Sequence, residues 1–237
     1  MKILIICGHG AGDPGALGDG YKEADLVREI APKLKNILSN YAEVTLFDPN
    51  VNMYKYLKTN SFNFKEFDYV FELHFNAFNK KAYGTEILVH TLEEGITVEQ
   101  LIVNKIASLG FFNRGVKRRS DLQNMNICKG KQGVSYALLE TCFVDNFEDM
   151  VLYNLKKDDI IKAIADGIIE GFKLNQFKND VQSSSNMLTS ANDIAWELNH
   201  SYFPITEMEK FIAELDEAKQ KNSSLYWGYY KLVNKIK

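Results

Sequence analysis

The chain opens on an unbroken apolar run, Ile3-Leu4-Ile5-Ile6-Cys7, rich in β-branched residues and too short for a helix. Such a run predicts a strand buried on both faces, as the inner strands of parallel sheets are. A Gly/Asp-rich loop follows from residue 8 to residue 20. Leu26, Val27, Ile30, Leu34, Ile37 and Leu38 then recur at helical spacing, with Lys and Glu between them. Pro32 falls inside this pattern and is expected to kink or split the helix, since it lacks an N–H and its ring crowds the preceding turn. Residues 43–47 (Glu-Val-Thr-Leu-Phe) and 69–75 (Tyr-Val-Phe-Glu-Leu-His-Phe) read as further strands, as do 85–90 and 134–140. A helical stretch covers 98–109. Ile160, Ile161, Ile164, Ile168 and Phe172 mark a closing helix.

Strands alternating with helices argue for an α/β fold: a mostly parallel, twisted sheet flanked by helices. The pattern breaks near residue 175. Gln-Ser-Ser-Ser-Asn is a short polar linker, and the expected division is a domain at 1–175, a linker at 176–189 and a small helical C-terminal domain at 190–237. Three short helices fit the last segment, at 191–199, 206–221 and 224–236, with Thr206 and Glu209 spaced as in a capping box. A unit so small is marginal alone, so it is expected to dock on something or to self-associate as a homo-oligomer. Tyr226, Trp227, Tyr229 and Tyr230 are either its core or a surface for stacking on sugars.

Composition narrows the function classes. The apolar share is 46%, the charged share 25% and the net charge −3, so no global basic field points to nucleic acid. Lys117-Arg118-Arg119 is a local basic cluster, of the kind usually met in a solvated loop. Cys7, Cys128 and Cys142 are odd in number and show no Cys-x-x-Cys spacing, which argues against a disulfide framework. Cys7 and Cys142 read as small core residues. The N-terminal apolar run is shorter than the roughly 7–15 residues of a secretory signal and lacks a small-residue cleavage site. No apolar run reaches the roughly 18 residues of a membrane span.

Two histidines sit where α/β folds build sites. His9 follows the first strand, and His74 lies near the end of the third. In that third strand Phe71, Leu73 and Phe75 face one way, and Glu72, His74 and Asn76 the other. Carboxyl ends of parallel strands share one sheet edge, so the two histidines can meet there. A catalytic zinc takes three protein ligands and keeps a position open. Glu23, at the start of the first helix, is the expected third ligand. Glu140 closes the fifth strand, and a carboxylate ending an apolar strand needs a task or a partner. It reads as the general base, with an ion pair to Arg114 or Lys117 as the alternative. For Asn76, a substrate contact and a strand-end cap both stand open. For Arg114 and Lys117, binding an acidic substrate and simple solvation both stand open. His90 and His200 read as structural or exposed.

The ordered segments Gly8-His9-Gly10, Asp13-Pro14-Gly15-Ala16, Glu23, Leu73-His74-Phe75-Asn76-Ala77, Gly84-Thr85-Glu86, Asn113-Arg114-Gly115-Val116-Lys117 and Leu139-Glu140-Thr141-Cys142-Phe143-Val144-Asp145-Asn146 resemble the zinc-dependent N-acetylmuramoyl-L-alanine amidases of the amidase-3 type. The resemblance covers about residues 1–174. It implies that His9, Glu23 and His74 bind Zn2+ and that Glu140 is the catalytic glutamate. It also implies a bacterial peptidoglycan substrate, cut at the amide between the lactyl group of N-acetylmuramic acid and L-alanine. Many members carry an Arg after the second strand, where this chain has Asp48-Pro49.

The lack of a readable signal fits phage endolysins, which are made in the host cytoplasm and reach the wall after holin-type release. Residues 190–237 then sit where such enzymes carry a wall-binding module, with a secondary wall polymer as expected ligand. The rivals are a zinc peptidase cutting within the stem peptide and a non-catalytic wall-binding protein.

Overall fold

The computed structural model describes residues 1–18 and 20–177. Nearly all of the expected linker, the expected C-terminal domain with its three helices and four aromatics, and His200 lie outside the described residues. In chain order the elements begin β1 (Lys2–Cys7), β2 (Leu17–Gly18), β3 (Tyr21–Lys22), α1 (Glu23–Leu38), β4 (Glu43–Leu46) and α2 (Met53–Tyr56). There follow β5 (Tyr69–Asn76), β6 (Thr85–His90), α3 (Thr97–Ala107), β7 (Asn113–Arg119), α4 (Gln123–Met125), β8 (Ser135–Phe143) and α5 (Phe147–Gly171). A 3-10 turn at Phe64–Glu66 and a π-helical stretch at Asn126–Lys131 complete the set.

The apolar run of β1 lies inside the sheet, as its composition requires. It pairs in parallel with β4 on one side and β5 on the other, and Ile3 to Ile6 are fully buried. The six strands run β4-β1-β5-β8-β6-β7. Four pairings are parallel, and only β6 meets β8 antiparallel. The mostly parallel α/β sheet expected from the sequence is therefore present. The reversal matters for the site, because the beginnings of β6 and β7 share an edge with the ends of β1, β5 and β8.

Alternate strand positions feed two cores. Ile3, Ile5, Phe71, Leu73, Ala137, Leu139, Ile87 and Val89 pack with the apolar stripes of α1, α3 and α5. Leu4, Ile6, Val70, Tyr136, Leu138 and Leu88 pack with Met53, Phe64, Met125 and Cys128 from the short segments on the other face. No helix among the described residues is long and apolar enough to cross a membrane.

Four expectations change. α1 runs unbroken through Pro32, which sits on the exposed face. Buried Ile30, Ala31, Leu34 and Leu38 anchor the helix on both sides of it. Lys117-Arg118-Arg119 is not a loop but part of β7, and charged residues suit an edge strand because they discourage further pairing. β8 continues through Glu140 to Phe143, so Glu140 lies within the strand rather than at its end. The closing helix begins at Phe147, with a local break at Lys156 (φ −121°, ψ 15°).

α3 and α5 approach closely at Gly167, where a Cβ would come within 2.9 Å of the Ile102 backbone. Gly167→Ala gains about 1 kcal/mol of helix propensity. Overpacking against a backbone that cannot yield costs about 1–3 kcal/mol. Net destabilisation of about 1 kcal/mol is expected, read as a lower denaturant midpoint with an unchanged slope.

Candidate metal centre

The chain leaves β1 through a turn that only small residues permit. The Gly8 N–H donates to Leu73 O (2.9 Å), and a Cβ on Gly8 would lie 2.4 Å from the His74 ring. His9 then takes a left-handed conformation (φ 56°), which is costly for a residue with a side chain. Arg28 of α1 holds it there. Its guanidinium donates to Gly8 O (3.0 Å), His9 O (3.0 Å) and Pro49 O (2.7 Å). Asp13 closes the loop, paired through its backbone with Gly10, and its carboxylate accepts from the Gly15 N–H (3.1 Å) and Asn52 Nδ2 (3.2 Å).

The β2–β3 hairpin returns the chain to the sheet edge, where Glu23 opens α1. Its residue is 2% exposed. Backbone N–H groups of Ala16 (2.7 Å) and Phe75 (3.0 Å) donate to its two oxygens, one from the loop and one from β5. The same carboxylate meets His9 Nε2 at 3.1 Å and His74 Nδ1 at 2.7 Å. The remaining ring nitrogens also face carboxylates: His9 Nδ1 lies 3.1 Å from Asp13, and His74 Nε2 lies 3.0 Å from Glu72.

One donor atom each from His9, Glu23 and His74 lies within 4.8 Å of the others, the spacing of a group that could hold a metal ion. The three residues expected as ligands thus converge. Two imidazoles and one carboxylate form the donor set that zinc hydrolases use. Glu23 is buried without a lysine or arginine partner among the described residues, so it depends on the histidines or on a metal for positive charge. Burial alone would lower both histidine pKa values, but hydrogen bonds to Glu23, and to Glu72 for His74, outweigh it and lift both. Burial would raise Glu23, but His74 and His9 hold it far below the usual carboxylate range.

Glu140 stands beside the triad. On β8 it is in direct register with His74 of β5 and Glu86 of β6. Burial pushes its pKa up to about 7; the His74 charge opposes this, and Glu23 and Glu86 add to it. Its Oε2 is buried without a hydrogen-bond partner. Such a carboxyl, near neutrality and coupled by charge to His74 and Glu23, suits proton transfer. Glu86 takes up the nearby cations instead. Arg114 Nε donates to it at 2.6 Å, Lys117 Nζ makes a short contact with the same oxygen, and Asn76 Nδ2 donates at 3.3 Å. The ion pair considered for Glu140 is therefore made by Glu86, whose pKa falls because these cations outweigh its burial.

A cavity of about 390 Å³ opens on the two histidines of the triad, lined by His9, His74, Asp13, Asn52, Tyr54 and Glu72 among others; Glu23 and Glu140 do not line it. Asn76, Arg114 and Lys117 do not line it; they gather round Glu86. Sequence reasoning missed Arg28, Glu72 and Glu86 as parts of this site. Glu72 shares the strand face of His74 by simple alternation, which is a readable signal; Arg28 has none. His90 is structural, bonded to Asn126 and to the Leu92 N–H. Cys7, Cys128 and Cys142 are all buried and free.

The sequence profile of the N-acetylmuramoyl-L-alanine amidases of the amidase-3 type matches residues 3–170. The chain belongs to this family. Among curated relatives it is 26% identical over 235 residues to the probable autolysin PH of Staphylococcus aureus, covering 88% of this chain. It is 30% identical over 179 residues to the endolysin of Bacillus phage SPP1, covering 71% of this chain. The chain spans 48% of the staphylococcal protein's length and 64% of the phage protein's. Among solved structures, the catalytic domain of the CD27L endolysin, which targets Clostridia difficile, superposes with a TM-score of 0.59 at 26% identity. That match covers 72% of this chain and 97% of the other.

For this amidase-family chain the shifted pKa values predict how the metal-free protein responds to pH. His9 and His74 have raised values when folded, so their contribution is complete below the unfolded histidine value near 6.5 and is lost as pH rises through the folded values. Glu23 works the other way, losing its contribution as acid protonates it. Protein stripped by chelator should therefore unfold at lower denaturant as pH rises above about 6.5. Added zinc should reverse that loss. Flat stability of the stripped protein across this range would contradict the pairing.

Proposed function

We propose that this chain is a zinc-dependent N-acetylmuramoyl-L-alanine amidase that cuts the lactyl–L-alanine amide of peptidoglycan. The observation that carries the reading is the meeting of His9, Glu23 and His74 at one sheet edge, with Glu140 one strand away. Family membership supports it. His9, Glu23 and His74 would hold the zinc, which when bound supplies a Lewis acid to polarise the scissile carbonyl and activate water. Glu140 Oε2 takes a proton from the attacking water, which a carboxyl with a pKa of about 7 can do at neutral pH. The same oxygen then hands the proton to the departing alanine nitrogen. The Asn76–Glu86–Arg114–Lys117 cluster is the proposed contact for the acidic stem peptide, with Glu86 holding both cations in place.

The endolysin role is part of the proposal and draws support from the SPP1 endolysin and the CD27L catalytic domain. Residues 190–237 are the proposed wall-binding module, with a secondary wall polymer as ligand and homo-oligomerisation as the competing role.

Three expectations follow. Glu140→Gln should lower the rate of amine release from purified walls by about 10²–10⁴-fold while leaving zinc binding intact. The product of the unmutated enzyme should be N-terminal L-alanine on intact glycan. Amino termini from within the stem peptide would support the peptidase rival instead. For the tail, Glu140→Ala protein ending at residue 177 should bind purified walls more weakly than the full-length variant. Equal binding would reject wall targeting by the tail.

A further inference from the structure

Glu72 precedes His74 by two residues on β5 and shares its face. It is a carboxylate buried to 4% exposure, and its one ion-pair partner among the described residues is His74. Three side chains converge on it. His74 Nε2 lies 3.0 Å from Oε1, Asn124 Nδ2 lies 3.1 Å from each oxygen, and the Tyr136 hydroxyl makes a short contact with Oε2. Asn124 comes from α4 and Tyr136 from β8, so two separate elements fix the carboxylate from behind.

Burying a carboxyl group is expensive unless it is hydrogen-bonded, and here three side chains supply the bonds. With Asn124 and Tyr136 behind it, the group is aimed at one atom, the His74 nitrogen not facing Glu23. His74 is therefore bracketed, with Nδ1 toward Glu23 at 2.7 Å and Nε2 toward Glu72. A neutral imidazole carries one ring proton, and which nitrogen keeps it decides which lone pair a metal can use. A proton on Nε2 is the one that can be shared with Glu72, and that tautomer turns the Nδ1 lone pair to the triad. Glu72 is not a ligand itself, because it approaches the ring from the opposite side. His9 is arranged likewise, with Nδ1 on Asp13, but Asp13 sits at a half-buried loop position whereas Glu72 is buried.

We infer that Glu72, held by Tyr136 and Asn124, is the positioning residue that fixes the tautomer and orientation of His74 for metal binding. The inference rests on the metal reading proposed above. Partners of this kind typically change metal affinity by about 10–100-fold when removed.

The test uses full-length protein. Zinc affinity is measured by chelator competition near neutral pH, alongside the thermal midpoint of the zinc-free protein. Glu72→Gln keeps the shape and one acceptor but replaces one carboxyl oxygen with an amide nitrogen. It should weaken zinc binding by about tenfold or more, with the zinc-free midpoint little changed. Tyr136→Phe should weaken it in the same direction and by less, since it loosens Glu72 without removing it. Long-range nitrogen–proton NMR of the zinc-loaded unmutated protein supplies a measurement independent of any variant's folding, and it should place the His74 proton on Nε2. Unchanged zinc affinity in Glu72→Gln, or the proton on Nδ1, would overturn the inference while leaving the amidase reading intact. An unmutated protein that takes up no zinc would overturn both.

Discussion

Everything at this sheet edge is organised around one buried carboxylate. Glu23 begins α1, is almost wholly shielded from water, and has no lysine or arginine to answer its charge among the described residues. It survives there because two backbone N–H groups and two histidines close on it from two separate stretches of chain, the loop after β1 and strand β5. The surrounding oddities serve that convergence. Gly8 leaves space for the His74 ring, His9 accepts a left-handed backbone, and Arg28 ties down the carbonyls of the turn that presents it. Remove the shared carboxylate and the loop, the helix start and β5 lose what draws them to one point.

The same edge drives neighbouring carboxyls in opposite directions. Glu23 is held ionised by its histidines, whereas Glu140, in register with His74 on the next strand, is pushed toward neutrality by burial. Two carboxyls so close yet so differently poised make a natural division between holding charge and moving protons. Glu86 completes the set by drawing Arg114 and Lys117 onto itself, which keeps fixed cations from bonding Glu140 and leaves Glu140 Oε2 without a partner. This arrangement depends on the reversal of β6 and β7. Because they run against the other strands, their beginnings deliver Glu86 and Arg114 to the edge where β5 and β8 deliver His74 and Glu140.

Much of this was legible in the sequence, for identifiable reasons. Continuous apolar runs marked the inner strands, helical spacing marked α1 and α3, and alternation along β5 placed His74 away from the core-facing phenylalanines. Glu23 could be placed because it stands where the helical pattern begins. β7 was missed because an edge strand carries the charged residues that make it look like a loop. The first half of α5 was missed because Asn146, which caps that helix by accepting from the Asp149 N–H, stands well ahead of its isoleucine stripe. Arg28 and Glu86 resisted reading for a deeper reason. Their partners are remote in sequence, and nothing local in a helix or strand announces a distant carbonyl or lysine. Residues 190–237 remain an expectation drawn from composition and spacing.

The central claim is that a metal held by His9, Glu23 and His74 enables amide cleavage. Its most direct test is to strip the full-length protein with chelator, titrate zinc back, and follow L-alanine amino groups released from purified walls against zinc bound. Activity should start near zero, rise in proportion to bound zinc and level off at equimolar occupancy. Full activity in the stripped protein, or no recovery as the ion returns, would contradict the account.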